Sequence, residues 1–340
     1  MPAPLLDLLG RPITDLRVSV TDRCSLRCAF CMPEEREYDF LPRAELLTYE
    51  EIARLVRLFA GLGVRKVRLT GGEPLLRRDL PRLVEMLART AGIEDLALTT
   101  NGLLLARQAA ALRAAGLGRV TVSVHSLRPE TFARLTGGRG ELETVLAGID
   151  AAVAVGLTPV KVNAVVVRGV NDDEVGALAR RFRGPSTMLR FIEYMDVGTV
   201  NGWMPGAVVP AAEILARVDA ELPLAPAGRG SRHDPATRWR YRDGGGELGV
   251  IASVSRPFCG DCSRARLSAE GRLFTCLFAA AGEDLKAPLR AGEDDEAMRE
   301  RLGRLWRRRG DRYSEQRAEA LAAGGTPPPL QRVEMYRIGG

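Results

Sequence analysis

The chain has 340 residues, a formal net charge of +6, 46% hydrophobic residues and only 5% aromatic ones. That length suits two domains or one large barrel with an extension, and the apolar fraction is enough for a sizeable core. The charge favours anionic ligands but is too modest to mark a nucleic-acid binder. No run of about 18 apolar residues predicts a membrane span, and the N-terminal stretch lacks the basic-then-apolar pattern of a secretory signal. A cytoplasmic location is therefore expected.

Residues 16–20 alternate as a short strand and run directly into the loop TDRCSLRCAFCMP. Cys24, Cys28 and Cys31 in that loop have the spacing C-x3-C-x2-C. A 4Fe–4S cluster commonly takes one thiolate per iron, so three ligands leave one iron open to bind and polarise a small molecule. A structural zinc site would want four Cys or His ligands. The two histidines of the chain, His125 and His233, lie far from this loop in the sequence.

Residues 49–60 place Ile52, Leu55, Val56 and Phe59 on one helical face. Residues 64–70 alternate as a strand ending in Thr70-Gly71-Gly72-Glu73-Pro74. Glycines there let a main chain approach a ligand without a Cβ in the way, although Gly-Gly also suits an ordinary turn. The pattern continues with a helix over 80–87, a strand over 95–100 and a helix ending near Gly116. A strand over 120–124 follows, then a helical region reaching Val155, a strand over 160–167, a helix over 172–182 and a strand over 188–195. Six strands separated by helices predict parallel βαβ units with right-handed crossovers. The fold class is α/β, a partial (β/α)6 barrel whose chemistry sits at the C-terminal ends of the strands. Ser123 and Met195 fall at such ends.

After Met195 the alternation stops. A short helix over 211–222 is followed by a Pro/Gly/Arg-rich linker over 223–235 and a strand over 249–255. The boundary is placed near residue 222, giving a barrel over 1–222 and a C-terminal region over 223–340. That region holds a second triplet, Cys259, Cys262 and Cys276, in FCGDCSRARLSAEGRLFTCLF. The six cysteines thus divide into two triplets. A disulfide framework suits short secreted chains, so metal binding accounts better for these thiols. Arg264 and Arg266 share one face of an extended segment, while Arg17, Arg68, Lys161 and Arg190 lie within predicted strands. Charged side chains are seldom buried unless paired, and guanidinium groups bind phosphate bidentately. Together they predict a cavity for a polyanion. The basic run over 298–313 reads as a solvated helix face.

These pieces resemble the GTP 3′,8-cyclase family of the radical S-adenosylmethionine superfamily, which begins molybdenum cofactor biosynthesis. The resemblance rests on TDRCSLRCAFCMP, VRLTGGEPLLRRDL, TTNG, VSVHSL, VKVNAVVVRGVND, RFIEYM, NGW, the second cysteine segment and the terminal Gly339-Gly340. It implies one 4Fe–4S cluster on Cys24, Cys28 and Cys31 and another on Cys259, Cys262 and Cys276. It implies S-adenosylmethionine contacts from Phe30, Gly72, Ser123 and Met195, and a GTP site lined by Arg17, Arg68, Thr99, Lys161, Arg264, Ala265 and Arg266. Arg17, Arg264, Arg266 and the inserted tail Gly339-Gly340 would form the catalytic set. The implied reaction uses a 5′-deoxyadenosyl radical to remove hydrogen from C3′ of GTP. C3′ then bonds to guanine C8, giving 3′,8-cyclo-7,8-dihydroguanosine 5′-triphosphate.

Implied partners are a reductant such as flavodoxin or ferredoxin and the downstream cyclic pyranopterin monophosphate synthase. The resemblance also admits a homodimer, and no nucleic acid or membrane. Two positions depart from the family pattern. His125 stands where Asp is common, bearing on a hydrogen bond near the cofactor, and Ser263 stands where Asn or Thr is usual, beside the second triplet. Two competing readings are a twin-cluster radical enzyme acting on a peptide or other small molecule, and a non-catalytic iron–sulfur electron-transfer module.

Overall fold

The computed structural model describes residues 4–325 and 333–339. Six parallel strands run in sequence order: β1 (Asp15–Ser19), β2 (Lys66–Thr70), β3 (Asp95–Thr100), β4 (Arg119–Ser123), β5 (Val160–Val166) and β6 (Thr187–Glu193). The helices between them are α1 (Tyr49–Gly61), α2 (Leu80–Ala88), α3 (Leu105–Ala114), α4 (Pro129–Thr136), α5 (Leu142–Ala154) and α6 (Val175–Arg181). The expected helical region reaching Val155 is thus two helices, α4 and α5. The start of α1 shows why its sequence turns helical there. Thr48 accepts from the Glu51 N–H while the Glu51 carboxylate accepts from the Thr48 N–H, satisfying two otherwise orphaned donors.

Strand alternation divides the barrel wall into two surfaces. Leu16, Val18, Val67, Leu69, Val120, Val122, Val160 and Val162 are buried in the apolar layer under the helices. On the other surface, Arg17 stands in register beside Arg68 of β2, which pairs with Ala97 of β3, and Thr99, Thr121 and Lys161 form the next row, two residues further along, through β3, β4 and β5. The predicted rows of cations therefore face inward, while the aliphatic residues face the helices.

The C-terminal region continues the same sheet rather than standing apart. After α7 (Ala211–Asp219) come β7 (Leu224–Gly228), β8 (Thr237–Tyr241) and β9 (Glu247–Ile251), with β9 parallel to β6. β7 and β8 pair antiparallel, so part of the expected linker over 223–235 is a strand. At the other side β10 (Arg264–Leu267) lies parallel to β1 and is followed by β11 (Arg272–Phe274) and β12 (Glu283–Asp284). The result is one twelve-stranded sheet. The remaining helices are α8 (Lys286–Arg290), α9 (Asp295–Arg307), α10 (Tyr313–Ala322) and α11 (Met335–Ile338).

The basic run over 298–313 is not simply a solvated face. Trp306 and Arg309 are buried, and the Trp306 indole N–H donates to the Arg11 carbonyl at 3.1 Å. Among the described residues, no helix is long and apolar enough to cross a membrane.

Candidate functional site

One cavity of about 800 Å³ runs along the inner face of the sheet and is lined by all six cysteines. Cys24, Cys28 and Cys31 come from the loop after β1, and Cys259, Cys262 and Cys276 come from the segments flanking β10 and β11. All six are free thiols. Burial pushes the Cys24 thiol up to about 11 and the Cys276 thiol up to about 12, and it raises those of Cys28, Cys31 and Cys259 as well. Burial acts the same way on Cys262, but Arg264 and Arg309 outweigh it and bring that thiol down to about 6. The five raised thiols lose their protons readily only to a metal. Among the described residues no three His, Cys, Asp or Glu side chains stand close enough to share a single metal ion.

The GGEP turn is built against the first cysteine loop. A Cβ on Gly71 would stand 2.3 Å from the Thr21 carbonyl oxygen, and one on Gly72 would stand 2.3 Å from that of Arg23. The Gly72 and Glu73 N–H groups donate to Thr21 and Arg23, both at 2.8 Å. Glycine is needed because two main chains touch there. Phe30, Gly72, Ser123 and Met195 all line the cavity. Met195 lies just beyond β6 rather than at its last residue.

Arg17, Arg68, Thr99, Lys161, Arg190, Arg264 and Arg266 also line the cavity. Arg68 donates to Thr99 Oγ1 at 3.0 Å and Thr121 Oγ1 at 2.9 Å, while Arg190 donates to Asn163 Oδ1 at 3.0 Å. Hydroxyls and an amide orient these guanidiniums without neutralising them. Burial, then Arg190 and Arg119, brings the Lys161 ammonium down to about 7. Burial and the charges of Arg266, Arg264 and Arg68 lower Arg17 well below its usual range, and its Nε has no hydrogen-bond partner among the described residues. Crowded cations of this kind are relieved by a bound anion.

Ala265 departs from the grouping. Its side chain is buried in the apolar core on the other surface of β10, so only its main chain can serve the cavity. Gly339 reaches the site from α11, and its carbonyl accepts from Arg266. Gly340 lies outside the described residues.

Glu73 and Asn101 were not singled out from the sequence, whereas His125 and Ser263 stand out there as departures from the family pattern. Glu73 is buried and accepts from Thr100 Oγ1 at 2.7 Å, Asn101 N–H at 2.7 Å and Leu75 N–H at 3.0 Å. Burial pushes its carboxyl up to about 7. Asn101 in turn donates to Ser25 Oγ at 3.0 Å, tying β3 to the cysteine loop. His125 is buried, with Nδ1 accepting from the Val165 N–H at 3.1 Å, and burial lowers it to about 4. Its neutral ring packs edge-on against Phe30, with centroids 4.7 Å apart. Ser263 Oγ accepts from Thr14 at 2.8 Å and donates to Asp15 at 3.1 Å.

The Radical SAM superfamily model matches residues 18–182, and that of Molybdenum Cofactor Synthesis C matches residues 187–315. The GTP 3′,8-cyclase of Acidothermus cellulolyticus is 54% identical over 362 aligned positions, covering 100% of both chains. The chain belongs to the GTP 3′,8-cyclase family. The family member from Aquifex aeolicus is 48% identical, covering 99% of this chain and 100% of its own. Among solved structures, Streptococcus suis SuiB bound to S-adenosylmethionine is similar to this member with a TM-score of 0.49 and 19% identity, covering 64% of this chain and 47% of that one. The GTP 3′,8-cyclase relationship thus spans both cysteine triplets and the cavity between them.

Proposed function

We propose that this chain is a radical S-adenosylmethionine GTP 3′,8-cyclase of molybdenum cofactor biosynthesis. The observation that carries the reading is that two cysteine triplets open onto one cavity whose wall bears nine Arg and Lys side chains, among them Arg17, Arg68, Lys161, Arg190, Arg264 and Arg266. On this reading residues 1–222 form the radical-generating barrel and residues 223–340 hold the substrate end. Cys24, Cys28 and Cys31 would hold one 4Fe–4S cluster, and Cys259, Cys262 and Cys276 the other. Held by Cys24, Cys28 and Cys31, the first cluster would supply one-electron reducing chemistry for cleavage of S-adenosylmethionine, and the bound cofactor would supply the hydrogen-abstracting chemistry directed at C3′ of GTP.

The chain's own residues bind and orient the reactants. Phe30, Gly72, Ser123 and Met195 hold S-adenosylmethionine beside the first triplet. Arg17, Arg68, Thr99, Lys161, Arg264 and Arg266, with the Ala265 main chain, hold GTP. Bidentate guanidinium contacts fix the triphosphate, and this presents C3′ to the cofactor while guanine C8 stays within reach of C3′. Gly339, whose carbonyl accepts from Arg266, and Gly340 belong to the catalytic set with Arg17, Arg264 and Arg266. The further partners are a flavodoxin- or ferredoxin-type reductant and the cyclic pyranopterin monophosphate synthase that consumes the product. The location is cytoplasmic, and a homodimer is compatible with this reading.

Anaerobic reconstitution followed by incubation with S-adenosylmethionine, dithionite and each nucleoside triphosphate tests the assignment. GTP alone should yield 5′-deoxyadenosine together with cyclised nucleotide. Cofactor cleavage only in the presence of a peptide would replace it with a peptide-modifying reading, and absence of cleavage would leave an electron-transfer module.

A further inference from the structure

We propose that Asp7, Arg11 and Arg309 form a clamp that positions the second cysteine triplet for its cluster. The proposal rests on the reading that this triplet holds a cluster. All three side chains are almost completely excluded from solvent, with Asp7 at 0% and Arg11 and Arg309 at 1% exposure. Asp7 Oδ2 accepts from Arg11 Nε at 2.6 Å and from Arg309 Nη1 at 3.1 Å. Its other oxygen accepts from the Leu9 and Arg11 N–H groups, both at 2.9 Å. The carboxylate therefore fixes both guanidiniums to one point on the N-terminal segment.

The remaining donors go to the main chain that carries the thiols. Arg11 Nη1 donates to the carbonyl of Cys259 at 2.8 Å and to that of Asp311 at 2.8 Å. Arg309 Nη1 donates to the carbonyl of Cys262 at 2.7 Å, and its Nε donates to that of Thr275, next to Cys276, at 3.0 Å. Arg309 also stacks on Trp306 with its guanidinium 4.5 Å from the ring centroid, and Asp311 stands 3.5 Å from its Nε. Each of the three ligand segments is thus held at or beside its cysteine. A buried ion pair is weak evidence for stability by itself. Here its donors converge on the three segments that must keep a fixed spacing, as outer partners do around metal ligands. The guanidinium fork, more than its charge, makes this geometry.

The test uses the full chain with Asp7→Asn, Arg309→Lys and Arg309→Gln, each reconstituted anaerobically. Iron and sulfide content, EPR of the reduced clusters with GTP and with S-adenosylmethionine added separately, and melting of the cofactor-free chain are measured. The parent should hold about eight irons, and the variants about four. In the variants the signal that responds to S-adenosylmethionine should persist and the one that responds to GTP should be lost or broadened. Full iron with an unchanged GTP response would overturn the clamp, as would equal loss of both clusters. Restoration by Arg309→Lys would also overturn it, because lysine keeps the charge without the fork. If Arg309→Gln does not fold, Asp7→Asn, which keeps the acceptor for Leu9 and Arg11, decides the matter alone. A parent holding only about four irons would instead refute the twin-cluster reading.

Discussion

Replacing Gly339 by alanine should unseat the C-terminal segment from the site. Gly339 has φ +73°, in the left-handed region, and a Cβ there would stand 2.3 Å from Thr70 Cγ2 and 2.8 Å from Thr70 Oγ1. Thr70 is buried at the end of β2, so it has little room to retreat. The backbone conformation alone costs an L-residue roughly 1–2 kcal/mol, which lowers the docked-to-free ratio about 5–30-fold. The steric overlap adds to that. Arg266 then loses the Gly339 carbonyl it holds in the docked tail. The predicted result is a fall of at least about 5–30-fold in GTP cyclisation, with faster proteolytic clipping after α11. Iron content should not change, since the contacts Gly339 makes with Thr70 and Arg266 involve no cysteine. Parent-level turnover together with parent-level protease resistance would refute the reasoning.

Three further outcomes follow from the site. Lys161 is protonated below about 7 and loses its charge as pH rises through that value, so kcat/KM for GTP should fall on the alkaline side, and Lys161→Arg should remove that fall. Glu73 binds its proton up to about pH 7 when folded but only to about 4.5 when unfolded. The native state therefore holds the extra Glu73 proton between those values, so that group's contribution to stability declines as pH rises across them and levels off above pH 7, while the lowered His125 acts in the opposite direction. Glu73→Gln should remove that contribution, read as the pH dependence of the parent-minus-variant difference in thermal melts of the cofactor-free chain. Replacing Cys259, Cys262 and Cys276 together by alanine should leave about four irons, with slow S-adenosylmethionine cleavage but no cyclised nucleotide; cyclisation by that variant would rule out a substrate-holding role for the second triplet.

The barrel was readable because its strands obey one alternation. Aliphatic residues such as Val67 and Leu69 meet the helices while Arg68 faces inward, and the strand expected over 95–100 lies where β3 does. The same rule pairs Arg264 with Arg266 and turns the Ala265 side chain to the opposite face, leaving its main chain for the cavity. Other features left no local trace. The pairing of β10 with β1 joins residues from opposite ends of the chain, and Arg309 finds Asp7 across 302 positions, so a run that looks solvated in isolation is partly buried. Glu73 sits inside a glycine turn whose role drew attention to its neighbours. Its partners on β3 appear only once the two strand ends are brought together. β7 contains a proline, tolerated because the strand lies at the edge of the sheet.

Because β10 and β9 lie against β1 and β6, the extension occupies both borders that the six-stranded wall would otherwise expose. A fragment ending near residue 222 would present two bare rows of backbone donors and acceptors, one on each side, and such borders recruit other strands. The barrel's resistance to self-association is thus borrowed from the later-synthesised part of the chain. During synthesis, the interval between emergence of β6 and arrival of β10 is when this polypeptide is most exposed to mispairing.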